Sequence, residues 1–284
     1  MVRPIRQRGF TLVELVTVIV LLGVIAGVLV PFIISAMQAY LGAKARATLV
    51  GEGRLALERL AREVRHAVPN SISVLSGGTG IEFVRARAGG RYVARFDNYG
   101  TAFANTTLRF RRNANMSGLY VIGNALAFSA NDVLVIGNTS PADLMSGNPG
   151  PAVALASIAN TNPAAWPAGD GTGAGQILTF AANHRFLVES PGRHYTIADN
   201  TVEVGQTGAT LRWHTASGLT DYDGGVDWSA SDPTLVDGVS AVTFTYAPGT
   251  PQASGVLRID LSLGDAASGE SIRLYHEVHV RNTP

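Results

Sequence analysis

Residues 8–14 read Arg8-Gly9-Phe10-Thr11-Leu12-Val13-Glu14, and Leu15 to Met37 continue as LVTVIVLLGVIAGVLVPFIISAM. Between Phe10 and Met37 the one charged residue is Glu14. A helix over this span is ~42 Å long at ~1.5 Å per residue, more than a hydrocarbon core of ~30 Å requires. Arg3, Arg6 and Arg8 precede it. An excess of positive charge on that side holds the short leader in the cytoplasm and sends the C-terminal part outward. A secretory signal peptide fits poorly, because its apolar stretch is roughly 7–15 residues and its small-residue cut follows that stretch. Here the run is longer, and the small residue, Gly9, precedes it. A plain signal anchor explains the length and the arginines but leaves Glu14 unexplained.

A carboxylate in an apolar membrane helix costs ~2.5–3.5 kcal/mol at the centre and less near an interface. A partner offsets that cost. If the chain is cut after Gly9, Phe10 gains a free amine four residues before Glu14. That amine can pair with its own Glu14 in an isolated helix or with a neighbour's Glu14 in a bundle. The second arrangement sets the axial register between helices, a known use of a buried polar group.

The segment Arg8 to Glu14, followed by its uninterrupted apolar helix, resembles the cleavage and methylation motif of type IV pilins and type II secretion pseudopilins. The resemblance implies that a membrane prepilin peptidase cuts after Gly9, that Phe10 becomes the N-methylated first residue, and that Glu14 sets helix register. It implies further that the chain rests in the inner membrane before joining an extracellular fibre. Its partners are then other pilins, met through the N-terminal helix, and an inner-membrane assembly platform. Pro31 falls where many of these proteins carry a helix-breaking proline. A proline inside a helix removes one hydrogen bond and kinks or locally melts it. Gly23 and Gly27, one turn apart, permit close helix approach or reflect the ordinary tolerance of glycine in membrane helices.

The expected organisation is a leader at 1–9, a membrane and assembly helix at 10–37, an amphipathic helix at 38–68 and a β-rich head at 69–284. Within the second helix Leu49, Gly53, Leu57, Leu60, Val64 and Ala67 recur at spacings of three or four. That stripe is expected to dock on the head. Glu58 with Arg62, and Arg59 with Glu63, stand at i,i+4 spacing. Pro69, Asn70 and Ser71 stop the helix, and Ser35 to Gly42 marks the exit from the membrane.

In the head, β-type runs are expected at 81–84, 92–96, 108–112, 119–122 and 133–136. Further runs follow at 177–180, 186–189, 195–197, 201–204 and 210–214. Residues 241–246, 256–263 and 272–280 alternate most clearly and read as a half-buried antiparallel sheet. Between these groups, residues 141–175 are rich in Ala, Asn, Pro and Gly and read as a surface excursion or as a join between two sheet lobes. The fold class is therefore α+β: a long N-terminal helix packed on a large antiparallel head. Leu57 to Ser71, Gly90-Arg91-Tyr92 and the ending Leu274 to Pro284 resemble the O-type minor pilins of mannose-sensitive haemagglutinin pili. This implies a structural subunit acting in fibre initiation or at the tip. A J-type pseudopilin, or a fibre-displayed head that binds glycans or DNA, is the alternative. Relatives of this kind can carry cysteines in the head; this chain has none, so no disulfide role transfers.

The chemistry of the head is sparse. Net charge is +1, which gives no electrostatic case for a nucleic-acid partner even where Arg109, Arg111 and Arg112 flank Phe110. His276 and His279 are three apart on an expected strand and face opposite sides, unlike HExxH on a helix. Gly171 to Gly175 lacks the strand and helix of a nucleotide loop. Asp221, Asp223 and Asp227, in a glycine-bearing loop, offer the oxygen ligands calcium favours. The EF-hand spacing and its terminal Glu are missing, and Asp-Gly pairs are ordinary turn chemistry. No cofactor and no enzymatic activity are expected.

Overall fold

A single helix, α1 (Leu12–Arg65), carries the apolar run and the amphipathic stripe together. The computed structural model describes residues 9–94, 108–122, 125–160, 175–249 and 254–281, so the leader residues 1–8 lie outside the described part. Helical backbone continues through Pro31, where a break was expected. Proline forfeits one intrahelical bond, and the helical turns on either side persist without it. The buried residues of α1 are Leu49, Gly53, Leu57, Leu60 and Val64 of the expected stripe together with Ala56 and Ala61, while Ala67 is buried just past the helix end. Gly53 lets the helix approach closely: a Cβ there would press on the side chains of Leu263 and Leu274. Neither i,i+4 pair forms a salt bridge. Arg59 instead lies 4.8 Å from the centre of the Trp213 ring, a cation–π contact. Past the His66 cap the chain runs directly into the head, where the Val68 N–H donates to the Val84 carbonyl at 2.8 Å.

The head strands are β1 (Ser73–Leu75), β2 (Gly80–Tyr92), β3 (Asn115–Ile122), β4 (Val133–Val135), β5 (Ala152–Asn160), β6 (Gln176–Arg185), β7 (His194–Thr207), β8 (Thr210–Ser217) and β9 (Thr234–Asp237), followed by β10 (Val239–Ala247), β11 (Gly255–Asp265) and β12 (Glu270–Val280). The first nine form one antiparallel sheet, and the last three form another. In the larger sheet β2 pairs with β3 and also with β7, which closes β2, β3, β6, β5, β4 and β7 into a ring. The ring interior holds an aromatic-rich core that includes Tyr92, Phe110, Phe180, Phe186 and Tyr195. A second core lies between α1, the three-stranded sheet and the far halves of β2 and β7; Leu60, Ile81, Phe83, Val204, Phe244 and Leu261 belong to it. The strands β2 and β7 run through both.

Several sequence expectations change here. Residues 141–175 contribute a short helix, α2 (Pro141–Leu144), and β5 to the ring itself, so β2 and β7 bridge the two cores. Residues 161–174, which include most of the Gly171–Gly175 loop, lie outside the described part. The runs at 108–112 and 186–189 are not strands. Phe110 and Phe186 are core plugs instead, with ring centres 5.8 Å apart. Aromatic residues score as strand formers because they fill half-buried surfaces, and a loop that points them inward satisfies the same preference. The run at 92–96 reduces to the last residue of β2, and 95–96 lie outside the described residues. β11 follows the expected alternation: Leu257, Ile259, Leu261 and Leu263 are fully buried, while Arg258 on the opposite face pairs with Glu277 of β12 at 2.9 Å.

Candidate functional site: the helix start and the acidic sheet face

Gly9 and Phe10 precede the first turn of α1 in non-helical backbone, and both are exposed. Thr11 is the N-cap; its hydroxyl accepts the Glu14 N–H at 3.3 Å. Glu14 thus occupies the third helical position, and its carboxylate lies 3.5 Å from the Thr11 hydroxyl. Thr-x-x-Glu is the pattern of a capping box, in which hydroxyl and carboxylate satisfy the free N–H groups of a helix start. A negative side chain in the first turn also suits the helix dipole. The sequence reading treated Glu14 as an assembly group alone; the spacing Thr11 to Glu14 was the available sign of this second role.

From Phe10 to Leu41 the helix has no cover. Phe10 is 76% exposed, and the apolar side chains that follow are exposed on every face. By length and composition this is the one helix among the described residues able to cross a membrane. Residues 5–30 match the family model of the prokaryotic N-terminal methylation motif. That N-terminal segment is type IV pilin-like. The match ends at residue 30 and leaves the head outside it. No curated protein and no solved structure gives a significant match.

The head carries a second notable constellation, on the face of the large sheet turned away from α1. Glu82 on β2 lies directly opposite Glu203 on β7, and His214 on β8 lies directly opposite Glu203. Residues opposite one another in an antiparallel pair share a face, with Cβ atoms ~4.5–5.5 Å apart. The β8–β9 connection, residues 218–233, folds over this row. Its Trp228 ring occupies a slot left by Gly80 and Gly205, where a Cβ on either glycine would overlap the indole. Its Tyr222 hydroxyl donates to the Ser71 carbonyl at 2.7 Å. Beneath it Glu82 and Glu203 have no solvent exposure at all.

The connection is held by its backbone as well. Asp223 N–H donates to Glu82 Oε1 at 3.2 Å, and Asp227 N–H donates to Glu203 Oε2 at 2.9 Å. The other oxygens, Glu82 Oε2 and Glu203 Oε1, are buried without a partner. Burial, followed by the neighbouring Glu203, pushes the Glu82 carboxyl up to about 8. Burial likewise pushes Glu203 up to about 7, with the Asp227 charge adding and His214 opposing. His214 spans Asp232 at 3.1 Å through Nδ1 and Asp221 at 3.4 Å through Nε2. Those partners hold its imidazole above the ordinary range despite partial burial.

The three aspartates read as calcium candidates do not converge. Asp221 faces His214, Asp223 accepts the Gly225 N–H at 2.6 Å, and Asp227 lies beside Glu203. Among the described residues, no group of three or more acidic or histidine side chains is arranged to hold a metal ion. His276 faces the interior and His279 the exterior of β12.

Proposed function

We propose that the chain is a low-abundance minor pilin of a type IV pilus of the mannose-sensitive haemagglutinin type, acting when the fibre is initiated or at its tip. The observation that carries this reading is the joining of a bare assembly helix to a large head whose described residues form three buried apolar clusters. A subunit repeated along a shaft must pack its head against copies of itself at every step, whereas an end position leaves a bulky head unobstructed. In this reading a prepilin peptidase cuts between Gly9 and Phe10, the inner membrane holds the helix with the head outside, and the assembly platform passes the subunit to neighbouring pilins. Immunogold labelling is expected to mark fibre ends or isolated points. Dense decoration of the whole shaft would count against the proposal. Deletion is expected to reduce surface fibres; loss of exoprotein secretion with fibres intact would favour a J-type pseudopilin instead.

Glu14→Ala tests the register role. Membrane insertion is expected to persist, because the substitution removes the single charge of the span. Incorporation into fibres should fall at least ~10-fold, equivalent to ~1.4 kcal/mol of lost helix pairing. Quantitative immunoblots of sheared fibres against membranes make the comparison. Equal incorporation would leave Glu14 with its capping role alone.

A further inference from the structure

Two buried carboxyls face one another across β2 and β7, each holding the overlying loop with one oxygen and leaving the other unpartnered. Neither carboxyl has a salt bridge. Buried carboxyls so placed have two stable solutions: to keep their protons, or to gain access to water. We propose that residues 219–232 form a proton-controlled strap, closed over Glu82 and Glu203 while the pair holds protons and lifted when both carboxyls ionise.

The surroundings agree in sign. From the strap, Asp223 and Asp227 add negative charge beside the pair, and the Tyr222 phenol is held neutral by burial. From β10, Tyr246 lies near Tyr222 and is a phenol as well. From β1, the residue opposite Glu82 is the uncharged Ser73. From β8 come Arg212 and His214 on the same face; Arg212 is engaged with the Asp232 carbonyl and the Thr234 hydroxyl. A carboxyl raised in the closed state favours closure below its ordinary range, and this contribution is lost as pH rises through the raised value. The loss runs from about 4.5 to about 8 for Glu82 and from about 4.5 to about 7 for Glu203. His214 acts in the same direction, since its charged form holds Asp232 and Asp221 and neutralises as pH rises. Asp232 is lowered by that histidine, so its contribution is lost only at more acidic pH. The strap is therefore tightest in mild acid and loosens above neutrality. Its anchors at Tyr222 and Trp228 do not titrate in this range, so lifting is local, and the head presents a different outer face on the two sides of neutral pH.

Hydrogen exchange of the detergent-solubilised full chain tests this, with strap amides corrected for intrinsic pH dependence. Protection of Asp223 and Asp227 is expected to fall at least ~10-fold between pH 5.5 and 8.5, one decade being the effect of a single unit of differential protonation. The double variant Glu82→Gln and Glu203→Gln, neutral at every pH, should stay protected throughout. If it does not fold, Glu203→Gln alone should shift the transition to lower pH and make it shallower, because the remaining Glu82 then lacks the charged neighbour that raises it. Constant protection in the wild type, or an unchanged pH response in the variants, overturns the proposal. Calcium added at pH 8.5 is expected to leave the strap open; reclosure by calcium would make the pair a cation site and overturn the proton reading.

Discussion

Gly9→Val is expected to leave the leader attached, with the mature product falling ~100-fold, or ~2.7 kcal/mol in transition-state terms. The variant isolates recognition by the peptidase, because Gly9 is exposed and has no atom within 4 Å of where its Cβ would sit. Valine therefore fits the chain itself without strain. Any loss of processing must come from the enzyme that receives the Gly9–Phe10 bond, where a small residue lets the backbone approach closely. The bond is suitably placed: it lies in non-helical backbone just before Thr11 caps α1. Retention of Arg3, Arg6 and Arg8 would then keep the N-terminus on the cytoplasmic side and bar the helix from leaving the bilayer. Intact-mass analysis of the membrane fraction distinguishes the two forms. A mature N-terminus at Phe10 in normal yield would remove the cleavage assignment.

What was legible in the sequence followed short-range periodicity. The docking stripe of α1 could be read because one helix face repeats every three or four residues, and all its members from Leu49 to Val64 are buried. β11 could be read because Leu257 to Leu263 alternate against one solvated face. β5 could not: its buried Val153 and Leu155 alternate with exposed Ala154 and Ala156, and a strand whose outer face carries small residues looks like a loop in composition. Glu82 and Glu203 do not stand out in the sequence, for a different reason. In Ile-Glu-Phe and Val-Glu-Val each glutamate reads as the solvated member of an alternating strand. Its burial comes from a connection more than a dozen residues away in sequence, and local pattern carries no trace of such a cover. The Asp-rich stretch stood out in the sequence for its carboxylates, but in the fold the backbone N–H groups of Asp223 and Asp227 donate to Glu82 and Glu203, and the carboxylates do not converge on a ligand.

The coupling between fibre and head rests on the core beneath α1, and Phe83→Ala is expected to weaken it most. Phe83 is fully buried on β2, in the same cluster as Leu57, Leu60 and Val64 of the helix and Leu261 of the small sheet. Truncating such a ring removes its transfer free energy and leaves a cavity, together ~3–5 kcal/mol. For a protein of this size class that corresponds to roughly 6–20 °C in melting temperature. Leu55→Ala on the same helix is the matched control. Leu55 is 68% exposed, so its loss should change stability by no more than about 0.5 kcal/mol. Burial, and not apolar character, then decides the outcome. Because the ring core forms a separate cluster, Phe83→Ala should expose α1 amides from Leu49 to Val64 to hydrogen exchange before those of Leu119 or Leu178. Chemical denaturation of the full chain in detergent measures the difference. A loss below ~1 kcal/mol, or uniform exchange across both cores, would mean that the helix is held by something other than this core.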